Sequence, residues 1–389
     1  MRLKRLLVSN FRNYENVEIF WHPQINIIRG FNAQGKSNLL EAIAYLSLAS
    51  SFRGASDSEL IKFSPIANPT LLDQNPERAF CQEDFFHIQG DVVKEHNPMN
   101  PMRISVGFTR DKRKSWKINE KPHRRLTEIL GRFHTVIFSP EDLLLVKSGP
   151  VARRRYLNRQ MIQLYPDYYT LMLRYNQILK QRNSLLRQPY SSHLREQLEP
   201  WNSQLAEYAA LIYKRRLEIL ADLSVAAGIF HNQLCQQEGL RLEYRSFLPQ
   251  QELTALSEEE IATAFCERLA ENYAVEKARG LTLIGPHRDD LEIFINEVSA
   301  RRFGSQGQQR SAALSMKLAE LELANKIKGE YPVLLLDDVM SELDENRRTQ
   351  LLTLMGEKAQ LFITATDLNF SMLDGKIILV NQGRILEQN

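Results

Sequence analysis

The chain has 389 residues, 43% of them apolar, enough to bury the core of one large or two ordinary domains. Fifty Lys and Arg against forty-seven Asp and Glu leave a formal charge of +3, so net charge announces neither a nucleic-acid nor a membrane binder, and any such surface has to be a local cluster. Three scattered cysteines, Cys81, Cys235 and Cys266, form no C-x-x-C pair, the N-terminus has no secretory apolar region, and no run approaches a membrane span; we expect a cytoplasmic, membrane-free protein without disulfides or a thiolate metal site.

In chain order, Leu3–Val8 and Val17–Trp21 read as strands around turn residues 10–16, and Ile25–Arg29 as a third strand running into Gly30-Phe-Asn-Ala-Gln-Gly-Lys-Ser-Asn38. Residues 38–49 carry strong helix formers without Gly or Pro, so strand, glycine-bearing loop and helix follow one another. Between Ser64 and Pro101, prolines and asparagines without a sustained period predict a loop-rich excursion. Strand patterns return at Arg103–Phe108, Ser115–Asn119 and Thr135–Phe138. From Val151 to about Gly239 the pattern is helical: Trp201, Leu205, Tyr208, Ile212, Ile219 and Leu223 recur at helical spacing, as do Leu171, Tyr175, Ile178 and Leu185, which predicts two amphipathic helices that pair. Ser257-Glu-Glu-Glu260 has capping-box spacing and opens a helix with Ile261, Phe265 and Leu269 on one face and Gly280 as its stop. The last third predicts strands at Leu281–Gly285, Leu291–Asn296, Val333–Leu336, Leu361–Thr364 and Ile377–Val380, with helices over Ser311–Lys326 and Glu345–Met355. An α/β pattern therefore opens and closes the chain. It predicts one head made from residues 1–150 and 281–389, interrupted by a mostly helical arm over 151–280.

Gly30, Gly35, Lys36 and Ser37 match G-x-x-x-x-G-K-[ST] without deviation. The chemistry suits a phosphate: backbone N–H groups at a helix start face an anion, glycines allow close approach, lysine adds a point charge, and a serine hydroxyl completes a Mg²⁺ shell. We expect a nucleoside triphosphate, ATP, with Mg²⁺. The uninterrupted apolar run Val333–Leu336 reads as a buried parallel strand that delivers Asp337 and Asp338 at its end. Asp337 is expected to hold Mg²⁺ through water together with Ser37, and Asp338 to orient or deprotonate the attacking water, with Lys36 as the other catalytic group. A strand ending in two aspartates is, alone, more often a turn or helix cap, and the phosphate loop in the same chain reverses that preference.

About thirty residues earlier, Phe303-Gly-Ser-Gln-Gly-Gln-Gln-Arg310 resembles the signature motif of ABC-type ATPases, in which a serine and glycine at a helix start contact the γ-phosphate held by the other subunit. Ser341-Glu-Leu-Asp344 resembles the D-loop of the same class. Ser37 and Ser305 lie 268 residues apart (305 minus 37) with helices between, as in SMC-like DNA-repair ATPases. The inserted helices, about thirty-five residues each, span only about 50 Å, so no long coiled-coil rod is present. Asn10-Phe-Arg-Asn-Tyr14, Phe138-Ser-Pro-Glu-Asp142, Gly149-Pro-Val-Ala-Arg-Arg-Arg155 and Gly285-Pro-His-Arg-Asp-Asp290 further resemble motifs of the bacterial RecF family. The resemblance covers most of the chain and thins over 64–101 and parts of the arm.

The resemblance implies an ABC-type P-loop ATPase head with an inserted helical arm, closing as an ATP-dependent homodimer on double-stranded or gapped DNA during recombinational repair. It implies that Phe31, Asn32, Ala33, Gln34 and Asn38 line the phosphates with the loop residues above, that Arg12 sits near the nucleotide, and that Ser305, Gln306, Gly307 and Gln308 complete the partner's site. Ser341 and Asp344 would be the D-loop residues. Asp338 stands where the wider class has a glutamate, and Thr364 or Thr366 where transport ATPases have a histidine; both fit slow hydrolysis. Partners implied are the mediator RecR and, indirectly, RecO and the recombinase RecA. The rival readings are a P-loop kinase, a soluble transport-type ATPase subunit, or a nucleotide-gated protein scaffold.

Arg110–Arg125 holds eight Lys/Arg against two acidic residues, with Trp116 inside it. Lys112, Arg113, Lys114, Lys117, Arg124 and Arg125 are the expected DNA contacts, although a charge run alone is more often a solvated face. Arg153-Arg154-Arg155, Lys214-Arg215-Arg216 and Arg301-Arg302 are further clusters, and for the first of these a buried ion-pair role stands open beside DNA contact. His287 with Asp289 and Asp290 lacks a second histidine at ligand spacing, which favours structural hydrogen bonding over a metal triad.

Overall fold

A run of buried, branched side chains with no polar interruption needs partners on both faces, and Val333–Leu336 finds them in the middle of a parallel sheet. The computed structural model describes residues 1–65, 80–82, 85–189, 193–366 and 375–388. They form two compact units, Met1–Asp142 with Ala324–Asn389, and Leu143–Leu323. The segment 281–323 thus groups with the helices and the last sixty-odd residues with the N-terminal part.

In the first unit one sheet runs in the order Thr135–Phe138, Val333–Leu336, Leu361–Ala365, Ile25–Arg29, Gly375–Asn381, Arg384–Gln388. The first five strands are parallel and the last closes a hairpin. Ile25–Arg29 therefore lies between two strands from the far end of the chain, so the sheet that carries the phosphate loop cannot form until both ends are present. This is the α/β head built from both termini. A second, antiparallel sheet orders Tyr14–Phe20, Arg2–Phe11, Phe85–Lys94, Asn97–Thr109, Lys114–Ile118 and Lys121–His123. The helix Lys36–Leu48 touches strands of both sheets, which explains why Leu39, Leu40, Ala42, Ile43, Ala44 and Tyr45 are all buried although they circle the helix.

Much of the expected loop excursion is sheet. Within 64–101 the described residues include strands Phe63–Pro65, Phe80–Gln82, Phe85–Lys94 and the start of Asn97–Thr109, while 66–79 and 83–84 lie outside the described residues. Phe86, Ile88 and Val92 are buried in the alternation a half-buried strand requires. The prolines that obscured this pattern, Pro98 and Pro101, sit on the exposed end of the hairpin, where a missing N–H costs no central ladder bond. Leu281–Gly285 is the converse case: it forms no strand, because Thr282 and Leu283 donate their N–H groups to the side chains of Asn183 and Glu276 instead of to a neighbouring strand.

The second unit consists of helices Pro150–Leu164, Pro166–Leu186, Leu194–Leu234 and Glu258–Arg279, most of helix Gln306–Lys328, and a small sheet of Leu240–Arg245, Asp290–Ile295 and Val298–Ser299. The two expected amphipathic helices pair, with Tyr175 and Ile178 of one and Leu205, Ile212, Ile219 and Leu223 of the other buried. Ser257 caps its helix by accepting from the Glu260 N–H at 3.2 Å while Glu260 accepts from Ser257 N–H at 2.7 Å, and Gly280 ends it at φ 63°.

Candidate nucleotide site

Strand Ile25–Arg29 ends at the loop Gly30–Gly35, and helix Lys36–Leu48 begins directly after it. Gly35 caps that helix at φ 115°, and a Cβ there would stand 2.5 Å from Asn13 Nδ2; at Gly30 it would stand 2.4 Å from the Val380 carbonyl oxygen. The glycines are therefore demanded by close packing as well as by any phosphate. The loop is held from outside by Asn13, whose Nδ2 donates to Gln34 O at 2.9 Å and whose Oδ1 accepts from Asn38 Nδ2 at 2.9 Å, and by Tyr14 OH, which donates to Gly35 O at 2.9 Å. Gln34 is fixed further by the turn at Gln382 and Gly383, whose N–H groups donate to its Oε1 at 2.7 Å and its carbonyl at 3.0 Å.

Lys36, only 3% exposed, folds back and donates from Nζ to the carbonyls of Gly30 at 2.9 Å and Phe31 at 3.2 Å. The loop's own oxygens thus surround the ammonium where phosphate oxygens would be expected to compete for it. Ser37 Oγ donates to Asp337 Oδ1 at 2.7 Å, which joins the loop to the end of strand Val333–Leu336. Thr364, from the adjacent strand, accepts from Asp338 N–H at 2.7 Å, and its hydroxyl lies 3.1 Å from Asp337 Oδ1 and 3.2 Å from Asp338 Oδ1. Burial pushes the Asp337 carboxyl above the usual carboxylate range, with the Ser37 hydrogen bond pulling the other way. Asp338 sits at φ 51°, in the left-handed region. Serine hydroxyl and carboxylates are hard oxygen donors, the set that suits Mg²⁺, so the residues present fit that ion.

In the other unit, Ser305 opens helix Gln306–Lys328. Its Oγ accepts from Gln308 N–H at 3.2 Å while Gln308 Oε1 accepts from Ser305 N–H at 2.9 Å, a reciprocal cap that leaves Ser305 and Gln306 exposed. Ser341 donates to the Asp338 carbonyl at 2.7 Å, and Asp344 caps helix Glu345–Met355 by accepting from Arg347 N–H at 2.9 Å. The structure thus joins the phosphate loop to Asp337 in one unit, and in the other leaves a serine exposed at a helix start.

Comparison with known proteins gives the family. The family model described as RecF/RecN/SMC N terminal domain matches residues 2–384. The DNA replication and repair protein RecF of Staphylococcus carnosus (strain TM300) is 40% identical over 394 residues, covering all of both chains. That of Halothermothrix orenii (strain H 168 / OCM 544 / DSM 9562) is 40% identical over 370 residues, 94% of this chain and 92% of its own. The chain belongs to the RecF family. The solved structure of the recombination mediator protein RecF-ATP in the RecFOR pathway is similar at 36% identity and a TM-score of 0.87, covering 100% of this chain and 97% of that one. An Smc head bound to the C-winged helix domain of ScpA, at 16% identity and TM-score 0.54 over 98% and 94% of the two chains, shares the fold.

Several expected site residues have partners within the chain. Arg12, expected near the nucleotide, donates from Nε and Nη2 to both oxygens of Glu41 at 2.8 and 2.9 Å. Glu41 is 0% exposed and also accepts from Ser51, so the guanidinium neutralises a carboxylate that could not stay buried alone. Lys114, expected among the DNA contacts, donates to Ala49 O at 2.7 Å and Asp57 Oδ2 at 3.0 Å and lies over the Tyr45 ring. Trp116 stacks on the same Tyr45, interplanar angle 6°, and is buried. Lys112, Arg113, Lys117, Arg124 and Arg125 are exposed, with Arg113 paired to Asp111.

The other clusters divide in the same way. Arg153 is buried and forms a two-pronged pair with Asp290, both distances 2.7 Å, which decides its role as an internal ion pair. Arg216, fully buried, donates to Tyr168 OH, Tyr244 OH, Asn158 Oδ1 and the Pro286 carbonyl. Among the described residues no metal cluster forms around His287; its Nδ1 meets Tyr175 OH at 2.7 Å, and burial pushes its pKa down to about 4. Asp367, which follows strand Leu361–Ala365 and Thr366, lies outside the described residues.

Proposed function

We propose that this chain is an ATP-dependent DNA clamp of recombinational repair, in which ATP joins two copies and slow hydrolysis releases them. The observation that carries the reading is the division of the site. Ser37, Asp337, Asp338 and Thr364 form a bonded cluster at the phosphate loop, while Ser305 stands exposed at the start of a helix in the other unit. Phe31 in the loop and Phe303 beside the signature serine are 83% and 73% exposed, rings that a second copy would cover.

Within one copy, Lys36 would exchange the Gly30 and Phe31 carbonyls for phosphate oxygens, gaining charged acceptors for neutral ones. Ser37 and Asp337 would hold Mg²⁺, which when bound neutralises developing charge on the phosphates. Thr364 restrains both aspartates, so Asp338 is aimed by a neighbouring strand before any water arrives. A carboxylate one methylene shorter than glutamate orients water from farther away, which fits a weak, DNA-stimulated ATPase. Similarity to a structure named for RecF-ATP in the RecFOR pathway supports ATP as the nucleotide and a place in that pathway, with RecR as the proposed partner and RecO and RecA as indirect ones. No helix among the described residues is long and apolar enough to cross a membrane, and a cytoplasmic location is proposed.

Single-turnover hydrolysis of ATP, with and without duplex DNA, tests the enzymatic half. We expect slow turnover accelerated by DNA and reduced at least about 100-fold in Asp338→Asn, the size typical for loss of a positioned general base. Turnover indifferent to DNA would favour a transport-type subunit, and no turnover at all a nucleotide-gated scaffold.

A further inference from the structure

Three side chains at the end of helix Leu194–Leu234 and in the turn after it have no part in the nucleotide half-sites: His231, Cys235 and Glu238. Cys235 caps the helix and Glu238 follows the left-handed turn at Gln237 (φ 73°), and the three ligand atoms all lie within 4.8 Å of one another. His231 is 0% exposed, and the other two are half-buried. The group carries no cysteine pair to announce it; its signal in the sequence is H-x₃-C-x₂-E at the close of a helix.

Hydrogen bonding orients the imidazole. Ser315 spends its only hydrogen on the Ser311 carbonyl at 2.7 Å, so toward His231 Nδ1, 3.1 Å away, it can only accept. Nδ1 therefore carries the hydrogen, and Nε2 faces Glu238 Oε2 at 3.3 Å. A neutral ring would set a lone pair against a carboxylate oxygen, so this geometry calls for a positive centre. A proton on Nε2 supplies one but gives Cys235 nothing to do. A divalent cation engages all three groups. Zinc–nitrogen and zinc–oxygen bonds near 2.0–2.2 Å, meeting at a tetrahedral angle, hold their donor atoms about 3.3–3.5 Å apart. The observed 3.3 Å matches. Imidazole, thiolate and carboxylate together select Zn²⁺ over Mg²⁺ or Ca²⁺, and Ser315 is the outer hydrogen-bond partner that such a histidine needs.

We propose that His231 Nε2, Cys235 Sγ and Glu238 Oε2 form a Zn²⁺ site with its fourth position left for water. Binding releases the Cys235 thiol proton to solvent. The site also reaches the signature segment: the other Glu238 oxygen, Oε1, accepts from Gln308 Nε2 at 2.8 Å, and Gln308 is the residue that caps Ser305. An ion that fixes Glu238 thereby fixes the side chain that presents the signature serine.

The test is a titration of the full chain, stripped by chelator and dialysed, with Co²⁺ and then Zn²⁺ alone, so it is independent of the ATP reading. We expect one equivalent of Co²⁺ to give a thiolate-to-cobalt charge-transfer band with tetrahedral visible bands, and one equivalent of Zn²⁺ to displace it. Cys235→Ser should abolish the charge-transfer band, Cys266→Ser should leave it unchanged, and Ser315→Ala should weaken Zn²⁺ binding about 10- to 100-fold. Glu238→Gln, at a half-buried position, should lower affinity with the fold intact. Absence of stoichiometric uptake, a band that survives in Cys235→Ser, or unchanged affinity in Glu238→Gln would overturn the proposal.

Discussion

Lys36 and Thr364 show how few residues set the nucleotide site. One lysine saturates two loop carbonyls, and one threonine ties together two aspartates from the neighbouring strand. Charge-assisted hydrogen bonds contribute about 1.5–3 kcal/mol each, and Lys36 can make more than one, so Lys36→Ala should weaken ATP binding by at least about 100-fold, measurable by calorimetry. His287 gives a pH prediction with a definite sign. Burial depresses its pKa from 6.5 to about 4, so between those values the unfolded chain binds the extra proton; its contribution to stability is full above pH 6.5 and is lost as pH falls toward 4. In urea unfolding, wild type should therefore lose up to about 1.4 kcal/mol per pH unit more than His287→Asn over that window, other groups cancelling in the difference. The loop, the aspartate pair and the signature serine were legible because their chemistry dictates residue type and spacing. Asn13 and Tyr14 showed only as part of a family motif without a role, and Glu41 not at all, because the supports of a loop come from remote positions and carry no spacing rule.

At the level of elements, burial direction separates cations that composition lumps together. In strand Lys114–Ile118, Lys114 shares a face with the buried Trp116, whereas Lys117 points outward. Period-two alternation held that information, and a count of charges discarded it. Arg153 and Arg216 likewise fall on helix faces with Leu157 and Leu164, and with Ile212, Ile219 and Leu223. The consequence is a contrast between variants. Reversing Lys112, Arg113 and Lys117 to glutamate should lower duplex affinity and reduce the slope of log affinity against log salt by about 0.9 for each phosphate no longer neutralised. Lys114→Gln should leave that slope unchanged and lower the thermal midpoint, since Asp57 loses its ion-pair partner and keeps the hydrogen bond from Tyr45 OH. Helices with a clear cap, Glu258–Arg279 above all, were readable almost to the residue, while strand Phe85–Lys94 was hidden by prolines on the hairpin beside it.

At the level of the whole molecule, the parallel sheet places Ile25–Arg29 between strands from the far end of the chain, so the sheet that carries the phosphate loop is built from both ends of the sequence. That arrangement is legible in the α/β pattern at each end, because uninterrupted apolar strands admit few other partners. Ser305, the proposed signature serine, belongs to the other compact unit and is exposed. The central claim is therefore that ATP completes its site only by joining two copies. Light scattering with size exclusion, on wild type and Ser305→Arg with Mg²⁺ and a non-hydrolysable ATP analogue, tests it most directly. We expect wild type to shift from monomer to dimer, and Ser305→Arg to bind the analogue with undiminished affinity yet stay monomeric. A wild-type chain that binds the analogue and remains monomeric, or a variant that dimerises as wild type does, would contradict it.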